Sequence, residues 1–168
     1  VMLSVSRHFP DYTFIVAAAP GLDLSFYQPF LEAHPNVQLR QGHTYDILLE
    51  SDAALVTSGT ATLETALLGI PEAVCYKGNA ISYQIAKRLI KIPFISLVNL
   101  ILNKLVVREF IQDEMNEANL TQELKELLTN QERRSQLLED FQQLRTMLEA
   151  GGSASENAAR IIVRELAK

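Results

Sequence analysis

The chain has 168 residues, of which 48% are hydrophobic and 21% charged, and its net charge is −5 at pH 7. This length and composition are typical of a single globular domain, and since no charge-free run of about 18 apolar residues is present, we predict no transmembrane helix. The single cysteine, Cys75, excludes an internal disulfide and a cysteine-based zinc cluster, and the histidines lack metal-site spacing. The acidic total, and basic residues without interleaved aromatics, argue against nucleic-acid binding.

The first two thirds of the sequence alternate between strand-like and helix-like patterns. Strands are predicted at 12–19, a continuous apolar run that indicates burial on both faces, and at 36–42, 53–58, 72–77 and 94–97. Helices are predicted at the tail 1–9, at 24–33, broken by Pro29, and at 44–52, 60–69 and 82–91. Strands separated by helices predict an α/β fold, a doubly wound parallel sheet with helices on both faces.

The last third of the sequence predicts C-terminal helices. Residues 120–149 repeat apolar positions with helical spacing, Gly151 and Gly152 interrupt the pattern, and Ser153 or Ser155 can cap a final helix. We interpret residues 1–168 as one domain. Because a doubly wound domain normally opens with a strand, and this sequence opens within a helical pattern, we interpret the domain as truncated at its N-terminus. A missing central strand would expose sheet edges, which would allow a homodimer.

The stretch SGTATLE, residues 58–64, joins a predicted strand to a predicted helix. Ligands of open parallel sheets bind at the carboxyl ends of strands, where Gly59 lets the backbone approach a ligand and Ser58 and Thr60 bring hydroxyl groups. With Thr60 as N-cap, the free N–H groups of the helix would bind phosphate, and Glu64, one turn further, would accept hydrogen bonds from a ribose. The alternative is that these residues only cap the helix and complement its dipole.

Other polar residues follow predicted strands at the same edge. Lys77 ends the strand 72–77 and either meets a phosphate or faces water, and Asn99, in an apolar stretch, is either a turn-former or a ligand contact. His43 and Tyr45 follow the strand 36–42, and His43 contacts a nucleotide or is an ordinary loop residue.

A basic zone covers residues 77–108, which hold no acidic residue. Its members are Lys77, Lys87, Arg88, Lys91, Lys104 and Arg108. Such a zone in an acidic protein favours an anionic ligand or an anionic membrane surface, and the alternative is a solvated helix face.

Three segments together resemble the lipid-A-disaccharide synthase family. They are SDAALVTSGTATLETALLGIPEAVCYK, YQIAKRLIKIPFISLVNLIL and VVREFIQDEMNEANLTQELKELL. The resemblance implies the C-terminal, UDP-sugar-binding half of a GT-B glycosyltransferase, a Rossmann-like domain whose N-terminal acceptor domain is absent here. The family transfers 2,3-diacylglucosamine from UDP-2,3-diacylglucosamine to 2,3-diacylglucosamine 1-phosphate (lipid X), releasing UDP, without a metal or other cofactor, in the cytoplasm and peripherally on the inner membrane.

The resemblance also assigns residues to the substrate site. Those that match its donor-binding elements are Ser58, Gly59, Thr60, Glu64, Lys77, Asn99, Glu109 and Gln112, with Tyr76 beside Lys77. The catalytic base is expected in the missing N-terminal domain, so we expect this chain alone to be inactive. Two other interpretations stay open: another GT-B enzyme that acts on UDP-N-acetylglucosamine, and a nucleotide-binding module without catalysis.

Overall fold

The computed structural model describes residues 1–57, 59–79 and 93–166. Its strands are β1 (Phe14–Ala18), β2 (Val37–Gln41), β3 (Ala54–Thr57), β4 (Glu72–Tyr76) and β5 (Glu109–Ile111). Its α-helices are α1 (Met2–Val5), α2 (Gln28–Leu31), α3 (Thr44–Leu49), α4 (Thr60–Leu67), α5 (Leu97–Leu102), α6 (Glu117–Thr129), α7 (Gln131–Ala150) and α8 (Ala154–Leu166). Short 3₁₀ turns cover Ser6–His8, Leu24–Phe26 and Gln112–Glu114. The predicted helix at 82–91 lies outside the described residues.

The strands form two parallel sheets flanked by helices, which confirms the predicted α/β class. β1 pairs with β2 in one sheet, and β3, β4 and β5 form the other in that order. All three pairings are parallel, with Phe14 opposite Val37, Ala54 opposite Glu72 and Val74 opposite Glu109. No hydrogen-bonded ladder joins the two sheets within the described residues.

The hydrophobic core lies around β4 and the two long helices. β4 reads EAVCY, and its first four residues are buried. Its neighbours are apolar residues of α6 and α7 at helical spacing: Leu120, Leu124, Leu127, Leu137, Phe141 and Leu144. The Cys75 thiol is buried here, and this burial raises its pKa to about 12, in keeping with a core thiol.

Two buried acids of the long helices carry basic partners. Arg108 and Arg133 lie 2.9 and 3.3 Å from the Glu123 carboxylate, and the Lys104 ammonium lies 2.8 Å from the carboxylate of Asp140. Two members of the basic zone therefore serve internal ion pairs.

Glu72 is a buried acid that has no such partner among the described residues. It opens β4, is fully buried, and has no hydrogen bond to either carboxylate oxygen among the described residues. Removal from water disfavours the charged form and raises the pKa of Glu72 to about 9. Glu72 is therefore protonated at neutral pH.

Two sequence-based predictions of local structure are wrong. The strand predicted at 94–97 is absent, because Ser96 caps α5 by accepting a hydrogen bond from the Asn99 N–H, and Leu97 opens that helix. The segment 120–149 is helical, as predicted, and it is divided into two helices because Asn130 ends α6 in an extended conformation and caps α7 through the N–H of Arg133. The strand β5 was not predicted.

The second error concerns the burial of the run 12–19. Phe14, Ile15 and Val16 of β1 are only partly buried and Ala17 is exposed, although the sequence predicts burial on both faces. In the C-terminal part, the Glu156 N–H bonds the Ser153 hydroxyl, which confirms Ser153 as the cap of α8. None of the described helices combines the length and apolarity that crossing a bilayer requires.

Candidate functional site

The turn between β3 and α4 depends on Gly59. Its backbone has φ 155° and ψ −162°, a conformation that is essentially restricted to glycine. A Cβ at this position would meet no atom within 4 Å, so the space above the turn is open. Gly59, and not Thr60 as the sequence suggested, is the N-cap, because Thr60 already has helical geometry as the first residue of α4. Ser58 lies outside the described residues.

The first turn of α4 presents an exposed helix N-terminus. No side chain caps it, and Gly59, Thr60 and Ala61 are exposed. The hydroxyls of Thr62 and Thr65 donate to backbone carbonyls at 2.8 Å, so they serve the helix itself. Such an N-terminus carries a partial positive charge and N–H groups that point outwards, which is the chemistry that binds phosphate.

Glu64 lies one turn inside α4 and interacts with Tyr45 of α3. A hydrogen bond to Glu64 and the negative charge of that carboxylate raise the pKa of Tyr45. Tyr45 is 56% exposed, so the pair lies at the surface. His43 caps the start of α3 in the left-handed conformation, and its Nδ1 lies 3.0 Å from Asp46. The Tyr45–Glu64 contact joins two helices that each follow a strand, and no sequence spacing indicates it.

Asn99 is fully buried and all of its side-chain polar groups are bonded within the protein. Its Oδ1 accepts from the N–H groups of Val106 and Val107 at 2.8 and 3.0 Å. Its Nδ2 donates to the Val107 carbonyl at 2.8 Å and to Glu109 Oε1 at 2.9 Å. Of the two sequence-based interpretations, the turn-forming one describes this geometry.

The Glu109 carboxylate holds the loop before α5. It accepts hydrogen bonds from the N–H groups of Ile95 and Ser96, each at 2.9 Å, in addition to that of Asn99. Glu109 thereby ties β5 to the start of α5. Like Asn99, it offers its polar atoms to the protein interior.

Three strand ends of one sheet share the edge where Gly59 lies. Because β3, β4 and β5 are parallel, their carboxyl ends meet at that edge, with neighbouring strands about 4.8 Å apart. Lys77 follows β4 and is exposed, as is Tyr76. Gln112 follows β5 with φ 53°, and its Nε2 is buried with no partner among the described residues. The structure therefore brings Gly59, Lys77 and Gln112 to one edge.

A cleft lies beside β3, on the side away from β4. It has a volume of about 970 Å³ and reaches Thr57 and Ala61 near the turn and Ala19 and Pro20 after β1. No pattern in the sequence indicates this cleft. Within the parts of the chain that the structure describes, no group of three or more His, Cys, Asp or Glu side chains is arranged to hold a metal ion.

Parallel sheets flanked by helices, with a glycine turn at a strand end, define a Rossmann-like α/β protein, consistent with one half of a GT-B glycosyltransferase. The chain belongs to the lipid-A-disaccharide synthetase family, whose model matches residues 2–164. This match confirms the family resemblance found in the sequence motifs.

Curated relatives agree with the family model. The chain is 44% identical over 124 residues to a lipid-A-disaccharide synthase of Syntrophus aciditrophicus, covering 74% of this chain and 32% of the relative. It is 34% identical over 155 residues to that of Anaeromyxobacter sp. (strain K), covering 91% and 40%. It is 32% identical over 163 residues to that of Geobacter sulfurreducens, covering 96% and 42%. The chain thus spans roughly two fifths or less of the length of these relatives.

Proposed function

We propose that this chain is the donor-binding part of a lipid-A-disaccharide synthase. The enzyme would transfer 2,3-diacylglucosamine from its UDP conjugate to lipid X, forming the disaccharide precursor of lipid A and releasing UDP. The observation that carries this proposal is the family match over residues 2–164. The exposed helix N-terminus at Gly59, at the carboxyl edge of the sheet, supports it with suitable chemistry.

The donor nucleotide would bind at the turn before α4. The backbone N–H groups of the first turn, with the hydroxyls of Ser58 and Thr60, would hold the diphosphate. Glu64 would accept hydrogen bonds from the ribose diol, with Tyr45 keeping its carboxylate in place. Charge-assisted hydrogen bonds of this kind contribute more to binding than neutral ones.

The remaining assigned residues would act at the same edge in two ways. Lys77, beside Tyr76, and Gln112 follow β4 and β5 and would line the cleft around the donor. Asn99 and Glu109 would act as positioning residues, because their polar atoms are bonded to the loop 95–96 and the segment 106–107.

Catalysis would need parts that lie beyond this chain. Glycosyl transfer requires the acceptor hydroxyl, a base and the anomeric carbon together in a closed cleft. We place the base in a separate N-terminal acceptor domain, so residues 1–168 alone would be inactive. The enzyme would work without a metal, at the anionic cytoplasmic surface of the inner membrane. The basic residues Lys87, Arg88 and Lys91 would be attracted to that surface. These three residues lie outside the described residues.

Calorimetric titration with UDP tests the proposal. We would compare the wild-type enzyme with Glu64→Ala and with Glu139→Ala, a matched change of an exposed glutamate on α7. We expect Glu64→Ala to weaken UDP binding by about 1–3 kcal/mol and Glu139→Ala to leave it unchanged. Absence of UDP binding by the folded full-length enzyme would refute the nucleotide assignment, and equal binding by both variants would remove Glu64 from the site.

A further inference from the structure

Four large apolar side chains are exposed on one short segment that follows β1, and we call them the apolar ridge. They are Leu22, Leu24, Phe26 and Phe30, which are 42, 40, 54 and 56% exposed. Single exposed apolar residues are ordinary on protein surfaces, whereas a contiguous group of them marks a surface for a partner, a ligand or a membrane. The apolar ridge is therefore a candidate interaction surface.

The aromatic part of the ridge is held in one arrangement by its own segment. The centre of the Phe26 ring lies 5.4 Å from that of Tyr27, with the two rings perpendicular, and 5.8 Å from that of Phe30. The Tyr27 hydroxyl accepts a hydrogen bond from the Ala19 N–H at 2.9 Å, which fixes the segment to the end of β1. Because the rings are already ordered, little side-chain freedom is lost when this surface is covered.

The ridge carries almost no charge. Residues 19–31 contain one acidic residue, Asp23, and no basic residue. The Asp23 carboxylate accepts a hydrogen bond from the Ser25 N–H at 2.8 Å and caps the 3₁₀ turn that follows it. A segment without basic residues does not attract anionic headgroups, and its apolar side chains are favourably removed from water. The chemistry of the ridge therefore matches hydrocarbon better than a charged surface.

The ridge lies on the same side of the sheets as the candidate nucleotide site. Gln41, the last residue of β2, donates from Nε2 to the Leu22 carbonyl at 3.2 Å, which places the ridge at the carboxyl ends of β1 and β2. The helix α3 follows β2, and its Tyr45 interacts with Glu64 of α4. A short series of contacts therefore connects the ridge to the turn at Gly59.

We propose that the apolar ridge inserts into the hydrocarbon of the membrane from which the enzyme takes its lipid substrates. The inference rests on the proposed function for the nature of those substrates, whose acyl chains lie in a bilayer. The ridge places its apolar side chains below the headgroups, as interfacial amphipathic segments do, and turns the site edge towards the membrane. This contact differs from the attraction of Lys87, Arg88 and Lys91, which depends on lipid charge and is screened by salt.

Sedimentation of the full-length enzyme with neutral phosphatidylcholine vesicles tests the ridge, in about 1 M salt so that charge attraction is screened. The ridge variant is Phe26→Ser/Phe30→Ser. The control is Leu138→Ser/Met147→Ser, which changes two side chains of α7 that are 46 and 47% exposed. We expect the ridge variant to bind at least about tenfold more weakly than the wild type, because the burial of two phenylalanine side chains is lost. The control should bind like the wild type.

A conservative variant follows the insertion itself. Phe30→Trp keeps the ridge apolar and adds a tryptophan to a sequence of 168 residues that has none. After subtraction of the wild-type signal, we expect its fluorescence to shift to shorter wavelengths when vesicles are added. Lipids that carry bromine on their acyl chains should quench it. Met147→Trp is the control and should show neither effect.

Several results would overturn the proposal. They are a wild-type enzyme that does not bind neutral vesicles in high salt, equal vesicle binding by the ridge variant and the wild type, and a tryptophan at position 30 that brominated lipid does not quench. If the ridge variant loses UDP binding but keeps vesicle binding, the ridge contacts a ligand or another part of the protein instead.

Failure of the ridge is distinguishable from failure of the proposed function. Vesicle binding that depends on Phe26 and Phe30, in an enzyme that binds no UDP, would support the ridge and refute the nucleotide site. UDP binding that depends on Glu64, in an enzyme whose vesicle binding does not depend on the ridge, would do the reverse.

Discussion

The Asn99 side chain donates a 2.9 Å hydrogen bond to the Glu109 carboxylate, joining the first turn of α5 to the start of β5. Asn99 also bonds both N–H groups of 106–107, so one amide organises the loop between two elements. This loop leads into β5, which places Gln112 at the candidate site edge.

Substitution Asn99→Ala should destabilise the fold. It would leave the N–H groups of Val106 and Val107 and one Glu109 oxygen without this partner in a buried place, at a cost of about 2–4 kcal/mol. Urea denaturation would measure the free energy of unfolding. Gln143→Ala, on the exposed face of α7, is the control and should change it little. If the Asn99→Ala protein is as stable as the control variant, the Asn99 hydrogen bonds do not stabilise the loop between α5 and β5.

Glu72 should make stability depend on pH. Its folded-state pKa is about 9 against an ordinary value of 4.5, so between these values the folded protein keeps a proton that the unfolded chain has lost. Stability should therefore be greatest at the acidic end and fall as pH rises, by up to about 1.4 kcal/mol per pH unit, and level off above the folded pKa.

Glu72→Gln should remove that slope, since an amide does not titrate. Denaturation of both proteins across pH 5–9 would show the wild type losing stability faster than the variant. Parallel curves would mean that Glu72 is not buried as a neutral acid.

Gly59→Ala should cost stability through the backbone alone. A Cβ there meets no atom within 4 Å, but φ of 155° is unfavourable for alanine, so we expect a loss of about 1–3 kcal/mol and weaker UDP binding. Gly21→Ala is a matched control, because its Cβ also meets nothing within 4 Å and its φ is outside the glycine-favouring range. If both variants unfold at the same denaturant concentration, the turn is less constrained than the structure indicates.

The Tyr45–Glu64 contact predicts a change in tyrosine ionisation. Glu64 raises the pKa of Tyr45 by its hydrogen bond and its charge, so Glu64→Ala should let one tyrosine ionise at lower pH. Absorbance titration near 295 nm would detect it, with Glu139→Ala as the control. Superimposable titration curves would show that the two side chains do not interact in solution.

The basic residues Lys87, Arg88 and Lys91 predict attraction to anionic lipid. Replacing all three by glutamate in the full-length enzyme should weaken binding to vesicles that contain phosphatidylglycerol, because each basic residue near such a surface contributes about 1 kcal/mol. Vesicles of neutral lipid are the control. Unchanged binding to the anionic vesicles would mean that these residues are ordinary solvated surface residues.

The sequence was sufficient for the elements whose pattern is local. β4 is apolar throughout and α4 ends at a glycine turn, so both were predicted within about two residues. The prediction of a strand at 94–97 was wrong because FISL has the composition of a strand, whereas Ser96 caps a helix there. The Ser96 N–H is bonded to the Glu109 carboxylate, more than ten residues away in the sequence. β5 is three residues long, too short for a recognisable pattern.

At the candidate site, the sequence predicts the turn between β3 and α4, because its pattern is also local. Gly59 and Thr60 are adjacent in the chain, so their turn could be recognised directly. The Asn99 side chain forms hydrogen bonds with Val106, Val107 and Glu109 because the loop after α5 folds back on it. The spacing of residues in the sequence does not encode this fold-back. The partial exposure of β1 depends on which strands pair beside it, and its own apolar sequence does not encode that pairing.

The uneven position of the core has a consequence for how the domain opens. The buried cluster draws nearly all its members from Ala53 onwards, and before that only Val5 is fully buried in it, with Met2, Phe9 and Phe14 packed against it. Segments with few buried contacts open at lower free energy than the rest of a protein. The β1–β2 pair should therefore behave as a separate cooperative unit, detaching under mild denaturant while β3–β5 and the long helices persist.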